Sequence, residues 1–219
     1  MEDRALHIVN RSLQFARGAL LSFGPSAIRR RVWNKEYSEN KWHFAYNTAD
    51  DCVYAHLEKF ARNGRILDLG CGSGNTSTEL KDSAYQEYVG VDISEVALEM
   101  ARKRSQDCGR QNKNSYACSD FFSYEPSGKF DVILFRESMY HVPLNKIKPL
   151  LDKLAPSLKE GGVFIVRLFV GSGDSTQEKQ RPSTMMKIME TDFDVVEKAR
   201  YKTPGLPEVL VFRPKAKTI

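Results

Sequence analysis

The chain has 219 residues, of which 41% are hydrophobic and 28% charged, with a formal net charge of +5. That composition suits one soluble globular domain with a sizeable core. No apolar run reaches membrane-spanning length, and no run of five like charges marks a nucleic-acid or membrane tail. The four cysteines, Cys52, Cys71, Cys108 and Cys118, form no C-x-x-C pair, and no His/Cys cluster has metal-ligand spacing. No metal is therefore expected. The acidic start, Met1-Glu2-Asp3-Arg4, lacks the apolar core of a signal peptide, so a cytoplasmic setting with reduced thiols is expected.

Residues 1–45 read as an N-terminal helical lid or extension and residues 46–219 as one α/β domain. Leu6, Val9, Leu13, Ala16 and Leu20 recur at helical spacing, and Phe23-Gly24-Pro25-Ser26 breaks that helix. Basic residues gather here: Arg4, Arg11, Arg17 and Arg29-Arg30-Arg31, interleaved with Phe15, Phe23 and Trp33. One reading is contact of residues 1–33 with an anionic membrane, RNA or an acidic substrate. The favoured reading is a solvated helix face whose basic last turn suits the helix dipole. Aromatics follow at Trp33, Tyr37, Trp42 and Phe44.

Thr48 reads as the N-cap of a helix over 49–62, with Asp50 and Asp51 in its first turn and Gly64 beyond its end. Strands are expected at Arg65–Leu69, Tyr88–Asp92, Asn114–Cys118, Phe130–Phe135 and Val163–Phe169. Helices are expected at Thr76–Asp82, at Glu95–Asp107 capped by Ser94, at Leu144–Leu158 and near Thr184–Glu190. Gly161-Gly162 reads as a turn and Gly171–Thr176 as a polar loop. Phe193–Lys202 and Glu208–Arg213, around Pro204-Gly205, read as an antiparallel hairpin. The sum is a doubly wound, Rossmann-like, seven-stranded, mostly parallel sheet with an antiparallel C-terminal hairpin.

The most informative stretch is Asp68-Leu69-Gly70-Cys71-Gly72-Ser73-Gly74, placed between two expected strands, the second ending in Asp92. Strand, glycine turn, helix, strand and acid, in that order, bind a nucleoside-bearing cofactor, with the second acid on the ribose hydroxyls. A dinucleotide fingerprint fails twice: the sixth position is Asn75 counted from Gly70 and Ser77 counted from Gly72. An acid before the first glycine suits an ammonium rather than a pyrophosphate. Charge complementarity thus favours S-adenosylmethionine over NAD.

The chain here resembles the class I S-adenosylmethionine-dependent methyltransferases. Arg65–Gly74 is similar to their first motif, Val89–Ser94 to the second and Tyr116–Phe121 to the adenine-side loop. Lys129–Phe135 and Leu154–Val166 are similar to the fourth strand and to the helix, turn and fifth strand that follow. The resemblance implies that Gly70, Gly72 and Gly74, with Cys71 as a small filler, lie against the methionine part of the cofactor. It implies that Asp68 meets the ammonium, Asp92 the ribose and Ile93 one adenine face. Asp120 accepts from the adenine amino group or caps a turn, Phe121 presents its backbone N–H, and Arg136 offers a carbonyl near the transferring end. Tyr37–Trp42 is implied as a lid with Trp33, the alternative being that these aromatics only pack on the sheet. S-adenosylhomocysteine is the implied product.

Ligands bind at the carboxyl ends of such strands, so Arg136-Glu137-Ser138-Met139-Tyr140-His141-Val142-Pro143 should face the reacting methyl. The N/D-P-P-Y/F motif of DNA adenine methyltransferases is absent, which disfavours base or amide nitrogens as acceptors. His141 is the first candidate base on pKa grounds, Glu137 the second or a holder of an ammonium or hydroxyl, and Tyr140 an orienting group. Arg136 holds an acidic substrate or pairs near Glu137. The expected function is methyl transfer to O or N of a small-molecule acceptor. The alternatives are a protein or RNA acceptor gripped by the basic N-terminal region, and a non-catalytic partner protein. The oligomeric state stays open.

Overall fold

A computed structural model describes residues 17–18, 20–21, 24–42, 48–170, 176–202 and 206–216. Most of the expected first helix, with Phe15, Phe23 and Phe44, lies outside the described residues, as do the 171–175 loop and the Pro204-Gly205 turn. The described helices are α1 (Ser26–Ser38), α2 (Val53–Ala61), α3 (Asn75–Glu79), α4 (Glu95–Asp107), α5 (Leu144–Leu154) and α6 (Thr176–Asp192). The strands are β1 (Gly64–Leu69), β2 (Tyr85–Asp92), β3 (Asn114–Cys118), β4 (Phe130–Arg136), β5 (Leu158–Phe169), β6 (Asp194–Arg200) and β7 (Pro207–Arg213).

The seven strands form one sheet in the order β3-β2-β1-β4-β5-β7-β6. The first five run parallel, and β7 is antiparallel to both β5 and β6. Side chains alternate between the faces. Leu67, Leu69, Ile133 and Phe135 join the core under α5 and α6, whereas Ile66, Val132 and Leu134 join the core under α2. Burial on both faces accounts for the unbroken apolar runs of β4 and β5. The strand order reverses between β1 and β4, and a crevice opens at their carboxyl ends.

Several local expectations are corrected. Thr48 does not cap α2: the helix starts at Val53, and Oδ1 of Asp51 accepts the Val53 N–H at 3.0 Å. The left-handed positions after α2 are Arg62 and Asn63, not Gly64, which opens β1. The arginines 29–31 occupy the first half of α1 rather than a last turn. The helix α3 is a single short turn that stops at Leu80. The strand β5 begins five residues early, with Gly161-Gly162 inside an irregularity that shifts the pairing from Phe130–Leu158 to Val132–Val163. The helix before it ends at Leu154, because Pro156 turns the next residues into a 3-10 turn. The helix α6 starts eight residues early and carries Pro182 within it. Ser94 does cap α4, its hydroxyl accepting the Ala97 N–H at 3.2 Å.

Candidate functional site

A cavity of about 510 Å³ opens at the carboxyl ends of β1, β2, β4 and β5. Of the expected site residues, Asp68, Gly70, Cys71, Gly72, Asp92, Ile93, Asp120, Phe121, Arg136, Glu137, Tyr140 and His141 line it, as do Trp33, Tyr37 and Trp42. Gly74 stands one turn away, behind Ser73, with φ +78 as the residue before α3.

The glycine loop has a steric reason at two positions. Gly70 has φ +85, and a Cβ there would lie 2.4 Å from Cβ of Ser138. Gly72 has φ +53, and its Cβ would meet the Tyr37 hydroxyl at 2.6 Å. Both need the left-handed region and close approach.

Asp68 is fully buried at the end of β1. The Tyr88 hydroxyl donates to its Oδ2 at 2.6 Å, while Oδ1 has no hydrogen-bond partner among the described residues. Burial pushes its carboxyl up to about 6. An orphaned buried carboxylate oxygen is costly unless a donor completes it. Asp92 accepts the backbone N–H of Gly72 on one oxygen and of Ser94 on the other, both at 2.9 Å. A carboxylate offers about four acceptor sites, so two remain. Burial holds its carboxyl above the ordinary range.

Asp120 is bound by its own turn and by α1. Its Oδ1 accepts the Phe122 N–H at 3.0 Å, and its Oδ2 accepts the Ser26 hydroxyl at 2.7 Å and the Arg29 guanidinium. The helix α1 is tied down again where the Ser94 hydroxyl donates to Asn34 at 2.8 Å. Its aromatics cluster over the cavity: the Trp33 and Trp42 ring centroids are 5.4 Å apart, and Tyr37 stacks on Trp42 at 6.5 Å. Trp42 Nε1 donates to Glu36, which also takes a bidentate pair of 2.7 Å bonds from Arg17.

At the β4 and β5 ends lies a charge network that sequence reasoning missed. Arg136 donates to Oδ2 of Asp51 at 2.8 and 3.1 Å and to the Tyr54 hydroxyl at 3.0 Å. It therefore pairs with Asp51, which Arg167 links to Glu137. Arg167 Nε donates to the other oxygen of Asp51 at 3.2 Å, and its Nη1 to Oε1 of Glu137 at 2.5 Å. The signal was an arginine in the apolar run Val163–Phe169: a charge on a strand buried on both faces needs partners. In the sequence, Asp51 presents itself only as a first-turn acid.

Glu137 has φ +56, unusual for a non-glycine residue. Burial raises its carboxyl despite Arg167. The Tyr140 hydroxyl donates to the Phe169 carbonyl at 2.9 Å and the Ser138 hydroxyl to that of Leu69 at 2.5 Å. The His141 ring meets Trp33 edge-on at 5.0 Å, and its enclosure, with nearby arginines, pushes it down to about 4. It is neutral near pH 7 but a weak base. Among the described residues no three His, Cys, Asp or Glu side chains are grouped to hold a metal, and no helix is long and apolar enough to cross a membrane.

The fold is that of the class I S-adenosylmethionine-dependent methyltransferases. Residues 42–192 match the family model described as a methyltransferase domain, and the chain belongs to that family. A protein-lysine N-methyltransferase of Saccharomyces cerevisiae is 26% identical over 74% of this chain and 80% of its own length. A sterol 24-C-methyltransferase of Candida albicans is 30% identical over 58% of this chain, a match that spans only 34% of that relative. In structure, the N-methyltransferase NodS of Bradyrhizobium japonicum, in complex with S-adenosylhomocysteine, superposes with a TM-score of 0.66 at 16% identity, covering 85% of this chain and 98% of NodS.

Proposed function

We propose that the chain is an S-adenosylmethionine-dependent methyltransferase that modifies an O or N atom of a small-molecule acceptor. The observation that carries this reading is Asp68, a buried acid that lines the cavity beside the glycine loop and has one oxygen without a hydrogen-bond partner among the described residues. An ammonium donor completes it, and a pyrophosphate does not. The family match and a neighbour bound to S-adenosylhomocysteine support the same cofactor.

The cofactor supplies a methyl group already activated by its sulfonium. The chain's residues bind and orient around it. Asp68 holds the ammonium, and Asp92, fixed by Gly72 and Ser94, holds the ribose hydroxyls. Ile93 and Phe121 enclose the adenine side with Asp120. Trp33, Tyr37 and Trp42 line the cavity and pack on one another, an aromatic cluster that supports a small acceptor over a folded macromolecule. In-line positioning provides much of the rate. Glu137, Tyr140 and His141 surround the acceptor end.

Asp68→Asn tests the reading directly, because an amide presents N–H where the ammonium needs an acceptor. Its affinity for S-adenosylmethionine should fall by about tenfold or more. Unchanged affinity in a folded variant contradicts the assignment.

A further inference from the structure

We infer that the methyl acceptor is an amine, received by the carboxylate of Glu137, with Arg167 as the positioning residue that aims it. This rests on the methyltransferase reading above. The argument is one of charge and donor accounting at the acceptor end.

Three arginines line the cavity, and each is committed to a carboxylate: Arg29 to Asp120, Arg136 to Asp51, and Arg167 to both Asp51 and Glu137. Arg136 Nη1 also donates to the Tyr54 and Thr76 hydroxyls. Among the described residues, the charge of each cavity arginine is thus already offset by a carboxylate. Asp51 is equally saturated, since each of its oxygens faces an arginine. Glu137 is different. Its Oε1 takes the Arg167 bond, and the Tyr140 hydroxyl beside it directs its proton to the Phe169 carbonyl. A carboxylate offers about four acceptor sites, so Glu137, which lines the cavity, keeps capacity beyond the Arg167 bond. The left-handed backbone at Glu137 places this side chain against Arg167, whose guanidinium in turn lies 3.9 Å from the centre of the Phe169 ring.

Trp33, Tyr37 and Trp42 also line the cavity, with Trp33 in contact with the His141 ring. Aromatic faces with one carboxylate are a cation-binding arrangement. An alcohol fits less well, because it needs a strong base, and His141 is too weakly basic in this enclosure. An amine needs only to lose the proton of its ammonium form.

The step balances as follows. The ammonium N–H proton passes to the Glu137 carboxylate, leaving a neutral amine and a carboxylic acid. The nitrogen lone pair forms the new N–C bond as the S–C bond breaks, its electron pair returning to sulfur. The methylated nitrogen carries the positive charge that the sulfonium lost, and Glu137 returns its proton to water.

The test is calorimetric titration of the full chain, saturated with S-adenosylhomocysteine, with three matched probes: benzylamine, benzyl alcohol and benzoate. Nα-acetyl-lysine amide, as a fourth, separates a lysyl side chain from a free amine. Binding of either amine about tenfold or more tighter than the alcohol and the acid is expected. In Glu137→Gln that preference should fall within about threefold, with S-adenosylhomocysteine affinity nearly unchanged. Arg167→Gln should lose the preference and Arg167→Lys regain part of it, which a merely structural role does not predict. Benzoate or benzyl alcohol matching both amines, or an amine preference that survives in Glu137→Gln, overturns the inference. Failure of the wild type to bind S-adenosylhomocysteine overturns the methyltransferase reading itself, and the inference with it.

Discussion

Arg29, on α1, donates to the Oδ2 of Asp120, 91 positions further along the chain, and closes the adenine-side loop against the N-terminal helix. Both side chains are largely buried, at 11% and 6% exposure. The pair links the segment before the core to the loop that the sequence assigns to cofactor binding. Removing one partner leaves an uncompensated buried charge.

Arg29→Ala should therefore loosen α1 from the core without unfolding the sheet. Arg30 and Arg31 are exposed on the same helix and report on it as trypsin sites. Cleavage there should speed up on the order of tenfold. The wild-type rate in the variant would show that α1 is held by its other contacts, such as Asn34 to Ser94.

Asp92 joins two loops and faces the cavity, so its variants separate structure from binding. Asp92→Ala loses the Gly72 and Ser94 bonds together, and a loss of about 1–3 kcal/mol in stability is expected on thermal unfolding. Asp92→Asn keeps a side-chain acceptor for one N–H and should be less destabilised. Both should bind S-adenosylmethionine at least about tenfold more weakly by calorimetry.

Asp51 pairs with two buried guanidinium groups, those of Arg136 and Arg167. Asp51→Ala should cost about 3–5 kcal/mol, or roughly 10 °C in Tm. Asp50, its neighbour in sequence, is exposed, and Asp50→Ala should leave Tm almost unchanged. A similar Tm for the two variants contradicts the network.

Asp68 and His141 give opposing pH dependences. The folded Asp68 carboxyl stands at about 6 against an ordinary 3.8, so its contribution is full below pH 3.8 and is lost as pH rises through 6. The folded His141 stands at about 4 against an ordinary 6.5, so its contribution is full above pH 6.5 and is lost as pH falls through 4. Relative to wild type, Asp68→Asn should become more stable as pH rises from 4 to 6.5, and His141→Phe as pH falls across that window. Each trend amounts to ~3 kcal/mol over its range. Parallel slopes in Tm against pH contradict this assignment. His141→Phe also keeps the ring contact with Trp33, and retention of activity by this variant would exclude His141 as the base.

The glycine loop and Asp92 were legible in the sequence because few residue types permit what the backbone does there. Positive φ and close approach demand glycine at positions 70 and 72, and an acid ending a buried strand stands out. Continuous apolar runs, buried on both faces, likewise made β1 and β4 visible. The charge network was not legible, because Asp51, Arg136 and Arg167 lie on three elements and pair only through the fold. Arg167 was absorbed into an apolar strand. The early start of β5 was hidden by Gly161-Gly162, which mimics a turn, and that of α6 by Pro182, which mimics a helix stop. Thr48 has a cap-like sequence context, but its hydroxyl donates to Glu79 at 2.7 Å instead.

The most direct test of the central claim is calorimetric titration of the purified chain with S-adenosylmethionine, S-adenosylhomocysteine and NAD. The account predicts binding of the two S-adenosyl compounds in the micromolar range, about −8 kcal/mol, and none of NAD. Binding of NAD, or of neither S-adenosyl compound, would contradict it.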